Sequence, residues 1–351
     1  MSNLYGEISY SKVEPSERPI LVVVIDTEEG FDWGMPHSRE QVDVSAMGDL
    51  YRVQDIFDRY QIVPCYVIDY PVASQQAGYE YLRRVHQDGR CVIGAHLHPW
   101  VSPPHTEAVT RKNSFPGNLE RSLEREKLSR LLDAIEESFD YRPITYKAGR
   151  YGIGPNSASI LRELDLLIDL SPTPGFDYSS ENGPDYRDYV NSPFWFGPSQ
   201  NQLCIPCTGG YAGFLGKYSR AGYEFASKPM FQPFRALGIL ARLGAVERIR
   251  LSPEGFTLAE MVRISNFLIA RGERILTLSF HSPSVTPGFT PYVENKRQLS
   301  IFLKTLQEYL EYFKSEHRGI FLDPISVRER LIRIRSHTGA ADSGKHSLHS
   351  A

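Results

Sequence analysis

Apolar positions along the chain follow two alternating rhythms. Eight short runs are almost continuously apolar: ILVVVID (20–26), IVPCYVID (62–69), CVIGAH (91–96), ITYKA (144–148), LLIDL (166–170), LCIPC (203–207), ILTLSFH (275–281) and GIFLD (319–323). Runs this short and this apolar are expected of strands buried on both faces of a parallel sheet. Between them the period lengthens. Leu128, Leu131, Leu132, Ile135 and Phe139 share one helical face, as do Leu299, Phe302, Leu303, Leu306, Leu310 and Phe313. Thr257 and Glu260 form a capping-box start for a further helix. The alternation predicts an α/β fold, a distorted (β/α) barrel of about seven to eight parallel strands. An open doubly wound sheet is the rival, but no strand leads into GxGxxG and no GxxxxGK[ST] occurs.

The predicted organisation is one domain over 20–335 with an N-terminal extension (1–19). Within the domain, 171–255 is an irregular, aromatic-rich insertion, too long for a plain connection. The polar tail 336–351 lacks periodicity and is expected to be unstructured. The segment Phe231 to Leu243, with apolar positions at helical spacing and Arg235 and Arg242 between them, predicts a helix packed on the barrel.

Composition narrows the function classes. Across 351 residues, 39 Lys plus Arg against 42 Asp plus Glu leave a net charge of −3, without the basic excess that nucleic-acid binding needs. With 41% hydrophobic and 23% charged residues the chain is globular. Its 4 cysteines are too few for a disulfide scaffold, and Cys204-Ile-Pro-Cys207 has no second pair to build a structural zinc site. There is no apolar run long enough for a membrane span, and the first twenty residues lack the charged-then-apolar pattern of a leader. The expectation is a cytoplasmic protein; oligomeric state is not readable.

The chemistry is concentrated where strands end, which in a barrel is the catalytic face. The first strand ends on Asp26, followed by Glu28; the third on His96, followed by His98; the fourth runs into Lys147, Arg150 and Tyr151. The later strands end on Asp169, His281 and Asp323. Residues i and i+2 of an extended segment point the same way, ~6–7 Å apart. Two imidazoles at that spacing can converge on one metal ion, and one of the Asp26/Glu28 carboxylates can complete its shell while the other takes a proton from bound water. His281 ends a strand on the Thr277–Ser279 face and is suited to acid work near neutral pH.

Taken in order from Ile20 to Asp323, these motifs resemble the polysaccharide deacetylase (NodB-homology) superfamily, more closely its WalW-type branch. Val-Ile-Asp26-Thr-Glu28-Glu29-Gly30 is similar to its Thr-Phe-Asp-Asp-Gly motif, and Ile93-Gly94-Ala95-His96-Leu97-His98-Pro99 to its His-x-x-x-His motif, shortened by two residues. Lys147-Ala-Gly-Arg150-Tyr151-Gly152 stands where that family has Arg-x-Pro-Tyr, and Leu278-Ser-Phe-His281 where it has Leu-x-Leu-His. The resemblance implies a distorted barrel that removes acetyl groups from sugars with a divalent metal, usually zinc. It implies Asp26 as base and Glu28, His96 and His98 as metal ligands. Either Lys147 or Arg150 would brace the base, and the Tyr151 backbone N–H would face the oxyanion. His281 would be the acid, oriented by Asp169.

The expected function is therefore metal-dependent deacetylation of a sugar or polysaccharide precursor, with an acetylated carbohydrate as partner and N-acetyl as the expected leaving acyl group. Two alternatives remain. One is an inactive barrel binding glycan through Tyr178, Tyr186, Tyr189, Phe194, Trp195, Phe196 and Tyr211. The other is a metal amidohydrolase using the HxH pair and Asp323.

Overall fold

The computed structural model describes residues 4–11, 13–213, 219–226 and 247–345. The segment Phe231 to Leu243 lies outside the described residues. Among the described residues there are twelve strands: β1 (Ser9–Tyr10), β2 (Ile20–Thr27), β3 (Cys65–Ile68), β4 (Val92–Leu97), β5 (Thr145–Ala148), β6 (Ile168–Asp169), β7 (Phe194–Phe196), β8 (Gln202–Cys204), β9 (Gly209–Ala212), β10 (Glu247–Arg250), β11 (Ile275–His281) and β12 (Ile320–Phe321). Every apolar run singled out above contains one of them.

The strands β11-β2-β3-β4-β5-β6-β8 run parallel in that spatial order, and the fold is a (β/α) barrel. Its closure between β8 and β11 is not a continuous ladder. Thr208 spans the gap instead: its N–H donates to Thr277 O at 3.3 Å and its hydroxyl accepts from Thr277 N at 2.8 Å. Leu251 N donates to Thr208 O, and Ser279 N to Leu251 O, so the seam is sealed by irregular backbone.

Alternation divides the strand residues between two cores. Ile20, Val22 and Val24 of β2 point into the barrel with Cys65, Val67, Leu203 and Ile275. Leu21, Val23 and Ile25 point outward against the helices, with Leu276, Leu278 and Phe280 of β11. The final helix (Pro324–Lys345) sends Val327 and Leu331 into the inner cluster. It continues past Arg335, where the apolar period stops, and residues 346–351 are not described.

Two regions differ from the sequence-based expectation. The N-terminal segment is integrated with the barrel: β1 pairs antiparallel with β7, and the buried Tyr5 hydroxyl donates to Asp169. Besides the expected strand at 203–207 (β8), the 171–255 insertion holds β7 and a β9–β10 ribbon. Strands of three or four residues rich in Gly and aromatics are too short to show a period. Of the seven aromatics expected to bind glycan, Tyr186, Phe194, Trp195 and Phe196 are buried, Tyr189 and Tyr211 line a separate cleft, and Tyr178 reaches the main cavity.

A candidate metal centre at the barrel mouth

The inward face of each strand, followed to its carboxyl end, leads from apolar to polar residues. On β2 it runs Ile20, Val22, Val24, Asp26 and then Glu28; on β4, Val92, Gly94, His96 and then His98. On β11 it ends at His281, which is in register with Asp26 across the parallel ladder. Lys147 of β5 is in register with His96. The same two-residue period that fills the barrel with aliphatic side chains therefore delivers the site residues to one place.

Glu28, His96 and His98 converge. One Glu28 oxygen (Oε2) lies 3.5 Å from His96 Nε2 and 3.3 Å from His98 Nε2. The opposite ring nitrogens are already engaged. His96 Nδ1 faces the Lys147 carbonyl at 2.9 Å, which can only accept, so that nitrogen carries the proton and Nε2 presents a lone pair. His98 Nδ1 faces Glu29 Oε2 at 2.9 Å, with the same consequence. Two imidazole lone pairs thus meet at a Glu28 carboxyl oxygen.

The separations fit a shared cation. Ligands about 2.0–2.1 Å from a tetrahedral ion stand ~3.3–3.4 Å apart. The second oxygen, Glu28 Oε1, is buried and has no hydrogen-bond partner. Burial pushes the Glu28 carboxyl well above its ordinary range, reinforced by the Glu29 and Asp26 charges, and drives His96 well down and His98 to about 4. A cation would oppose the Glu28 shift and reinforce the two histidine shifts, because it favours carboxylate and neutral imidazole. The residues present fit a divalent metal.

Around this trio stand groups that sequence reasoning missed. Glu29 accepts from His98 and, at 2.8 Å, from Trp100 Nε1; Trp100 stacks on the His98 ring with 4.2 Å between centroids. Asp69 accepts from Glu29 N at 2.9 Å and from Val72 N at 2.9 Å, capping the helix Tyr70–Ser74. Glu29, Asp69 and His98 also converge, but there the carboxylate oxygens already hold donors, which makes them the outer support of the site. Glu29, directly after the metal-type acid, was the available signal.

Asp26 and Lys147 form a buried ion pair, with Lys147 Nζ donating to both Asp26 oxygens. Burial raises the Asp26 pKa, but the Lys147 charge, aided by His96 and His281, outweighs it and holds the carboxyl at about 2. The brace on Asp26 is therefore Lys147. Arg150 is elsewhere, donating to Ser114 and pairing with Glu181 at the cavity rim. Arg150 and Tyr151 both adopt left-handed backbone, with φ of 55° and 59°, a strained pair of the kind found at functional sites. That turn lays the Tyr151 ring 4.8 Å from Lys147 Nζ.

His281 Nε2 lies 3.8 Å from Asp26 Oδ2, and its Nδ1 faces Glu254 Oε2 at 2.7 Å. Glu254 also accepts from His281 N at 3.1 Å and from the Ser284 hydroxyl. The expectation that Asp169 orients His281 is thus corrected: Asp169 is buried against Tyr5 and Ser171. Its strand is short, and it sits among the inner-core partners of β8 rather than beside β11. Glu254 lies in a Pro/Gly-containing loop with no pattern to mark it. Asp323 is also placed away from the site. It caps the final helix, accepting from Ile325 N at 2.8 Å and Ser326 N at 3.0 Å, and β12 pairs with β2 only at Ile20 and Leu21. The structural basis for the amidohydrolase alternative is therefore absent. All four cysteines are buried and unpaired, Cys207 donating to Leu170 O, so the CxxC is packing.

The trio opens onto a cavity of about 760 Å³ walled by Phe31, Trp33, Tyr151, Tyr178 and Tyr292. Barrel, carboxyl-end site and convergent lone pairs together define the class: a (β/α) barrel with a metal-competent cavity at its mouth. Solved structures share the fold. A proposed polysaccharide deacetylase from Mycobacterium smegmatis superposes with a TM-score of 0.51 at 12% identity, covering 94% of this chain and 96% of that one. Puue allantoinase gives 0.50 at 16% identity, covering 91% and 93%. No protein-family model matches the sequence, and no curated protein matches it.

Proposed function

We propose that the chain is a metal-dependent deacetylase acting on an acetylated sugar, with zinc as the metal and an N-acetyl group as the one removed. The observation that carries the reading is the meeting of Glu28 Oε2 with two unprotonated imidazole nitrogens, flanked by Asp26 and His281. A divalent ion held by Glu28, His96 and His98 would acidify a water molecule and polarise the acyl oxygen.

The chain's own groups do the rest. Asp26, kept ionised by Lys147, accepts a proton from the attacking water. The Tyr151 backbone N–H, aimed by its left-handed turn, is the candidate donor to the developing oxyanion, a contribution worth roughly 3–4 kcal/mol. His281, held by Glu254 at Nδ1, passes a proton from Nε2 to the departing nitrogen. The aromatic walls exclude water and offer faces for a sugar ring to stack on.

The test is acetate release from N- and O-acetylated sugars by chelated and zinc-reloaded protein. Asp26→Asn and His281→Ala are each expected to lower kcat by about 10²–10⁴ with metal content kept. Full activity in both variants overturns the assignment. The same reading assigns the protein to the cytoplasm and to a soluble precursor. Four buried free thiols support this, and cell fractionation tests it.

A further inference from the structure

Of the guanidiniums that line the main cavity, none of them used by the mechanism, one has no carboxylate partner among the described residues. Arg250 ends β10, and the β9–β10 ribbon carries it to the cavity wall. Its Nη2 donates to the Tyr178 hydroxyl at 3.1 Å, and its guanidinium packs 5.0 Å from the Tyr151 ring and 4.8 Å from Phe176. Its Nε is buried without a hydrogen-bond partner. Among the described residues no carboxylate pairs with it, and the groups that act on its charge are the phenols of Tyr151, Tyr178 and Tyr292 and the Cys207 thiol.

Other cations near the site are accounted for. Lys147 is neutralised by Asp26, and Arg150 by Glu181. Arg111, also at the cavity, shares that same Glu181 at 3.4 Å, so two guanidiniums divide one carboxylate. The remaining acid on the wall, Asp32, accepts from Gly34 N at the rim. Arg250 is thus the cavity guanidinium that, among the described residues, has no carboxylate partner. An ionised guanidinium enclosed by rings and lacking a counterion is unfavourable until an anion enters.

We propose that Arg250 anchors an anionic group of the substrate, so that the favoured substrates are acetylated sugars bearing a phosphate or a carboxylate. The planar fork suits either oxyanion bidentately. Arg250 and Lys147 pack against the same Tyr151 ring, so the anchored group and the reacting acyl group belong to one small molecule. A cavity of about 760 Å³ is of the size that encloses a small ligand rather than a polymer strand. This inference rests on the deacetylase reading for the chemistry, but not for the binding.

The experiment uses zinc-loaded protein and three probes: N-acetylglucosamine, N-acetylglucosamine 1-phosphate and N-acetylmuramic acid. Calorimetry gives the Kd of each, and acetate release gives kcat/KM. At least one anionic probe should bind and react about 10- to 100-fold better than the neutral one. A phosphate preference or a carboxylate preference identifies the source of the anion. Arg250→Met should collapse the ratio towards one, while Arg250→Lys retains part of it. No preference among the three probes in the wild type, absent binding included, overturns the anchor whether or not the variants fold. A preference that survives in folded Arg250→Met overturns it too. Anion-selective binding without acetate release from any probe overturns the deacetylase reading and leaves the anchor standing.

Discussion

At the scale of single residues the site is governed by what each buried charge faces. Asp26 can serve as the proposed base because Lys147 stands against it: burial alone would raise its pKa, and the ammonium brings it to about 2. Lys147→Met removes that cation, so the Asp26 pKa must rise and the acid limb of the pH–rate profile should move to higher pH by more than about one unit. An unmoved limb in a zinc-loaded variant would show that Asp26 is not the base. The variant should also lose roughly 3–5 kcal/mol of stability, the usual consequence of stranding one member of a buried pair. Glu254 acts one step back from the chemistry. Glu254→Ala frees the Nδ1 side of His281, and kcat should fall at least about tenfold with KM and zinc content little changed. A matching fall in zinc content would make Glu254 a general structural support instead.

At the scale of elements, the turn after β5 decides whether the metal ligands can meet. A Cβ on Gly149 would stand 2.4 Å from Leu97 O and 2.6 Å from His98 Cδ2. Gly149→Ala should therefore displace His98, reduce zinc stoichiometry, and destabilise by about 1–3 kcal/mol; elemental analysis of the purified variant checks it. The helix Arg121–Phe139 carries a different signal. Its buried Glu124 accepts from Ser157, has no partner for Oε2, and is pushed by burial to about 7. A carboxyl with a raised folded-state pKa gives stability that is full below its ordinary value and lost as pH rises through the folded value. Glu124→Gln cannot ionise, so thermal melts of variant and wild type should agree near pH 4, diverge between about pH 4.5 and 7, and keep a constant gap above that, the variant melting higher. Parallel melting across that range would show that folding leaves the Glu124 pKa unshifted.

At the scale of the whole molecule, the proposed metal ligands come from the ends of β2 and β4 and the proposed acid from β11, so metal occupancy should stabilise the barrel as a unit. A cation that binds only the folded chain adds about 2.7 kcal/mol at one hundred times its Kd. Zinc should raise Tm by several degrees over chelated protein, and Glu28→Ala should abolish that rise. A Tm indifferent to zinc in the wild type would count against the metal centre directly.

The sequence by itself determined the alternation of strands and helices and the chemistry at strand ends. Both depend on local periods: two residues per repeat sends Val24, Asp26 and Glu28 the same way, whatever lies across the barrel. Asp26, Glu28, His96, His98, Lys147 and His281 were legible for that reason. Tertiary structure alone decided the partners. Asp169 ends a strand as His281 does, yet the sheet order puts β6 next to β8 and gives His281 to Glu254, from a loop without period. Arg250 follows the same rule. Its lack of a carboxylate partner among the described residues is a property of everything packed around it, so only the folded chain could raise the proposal of an anion anchor.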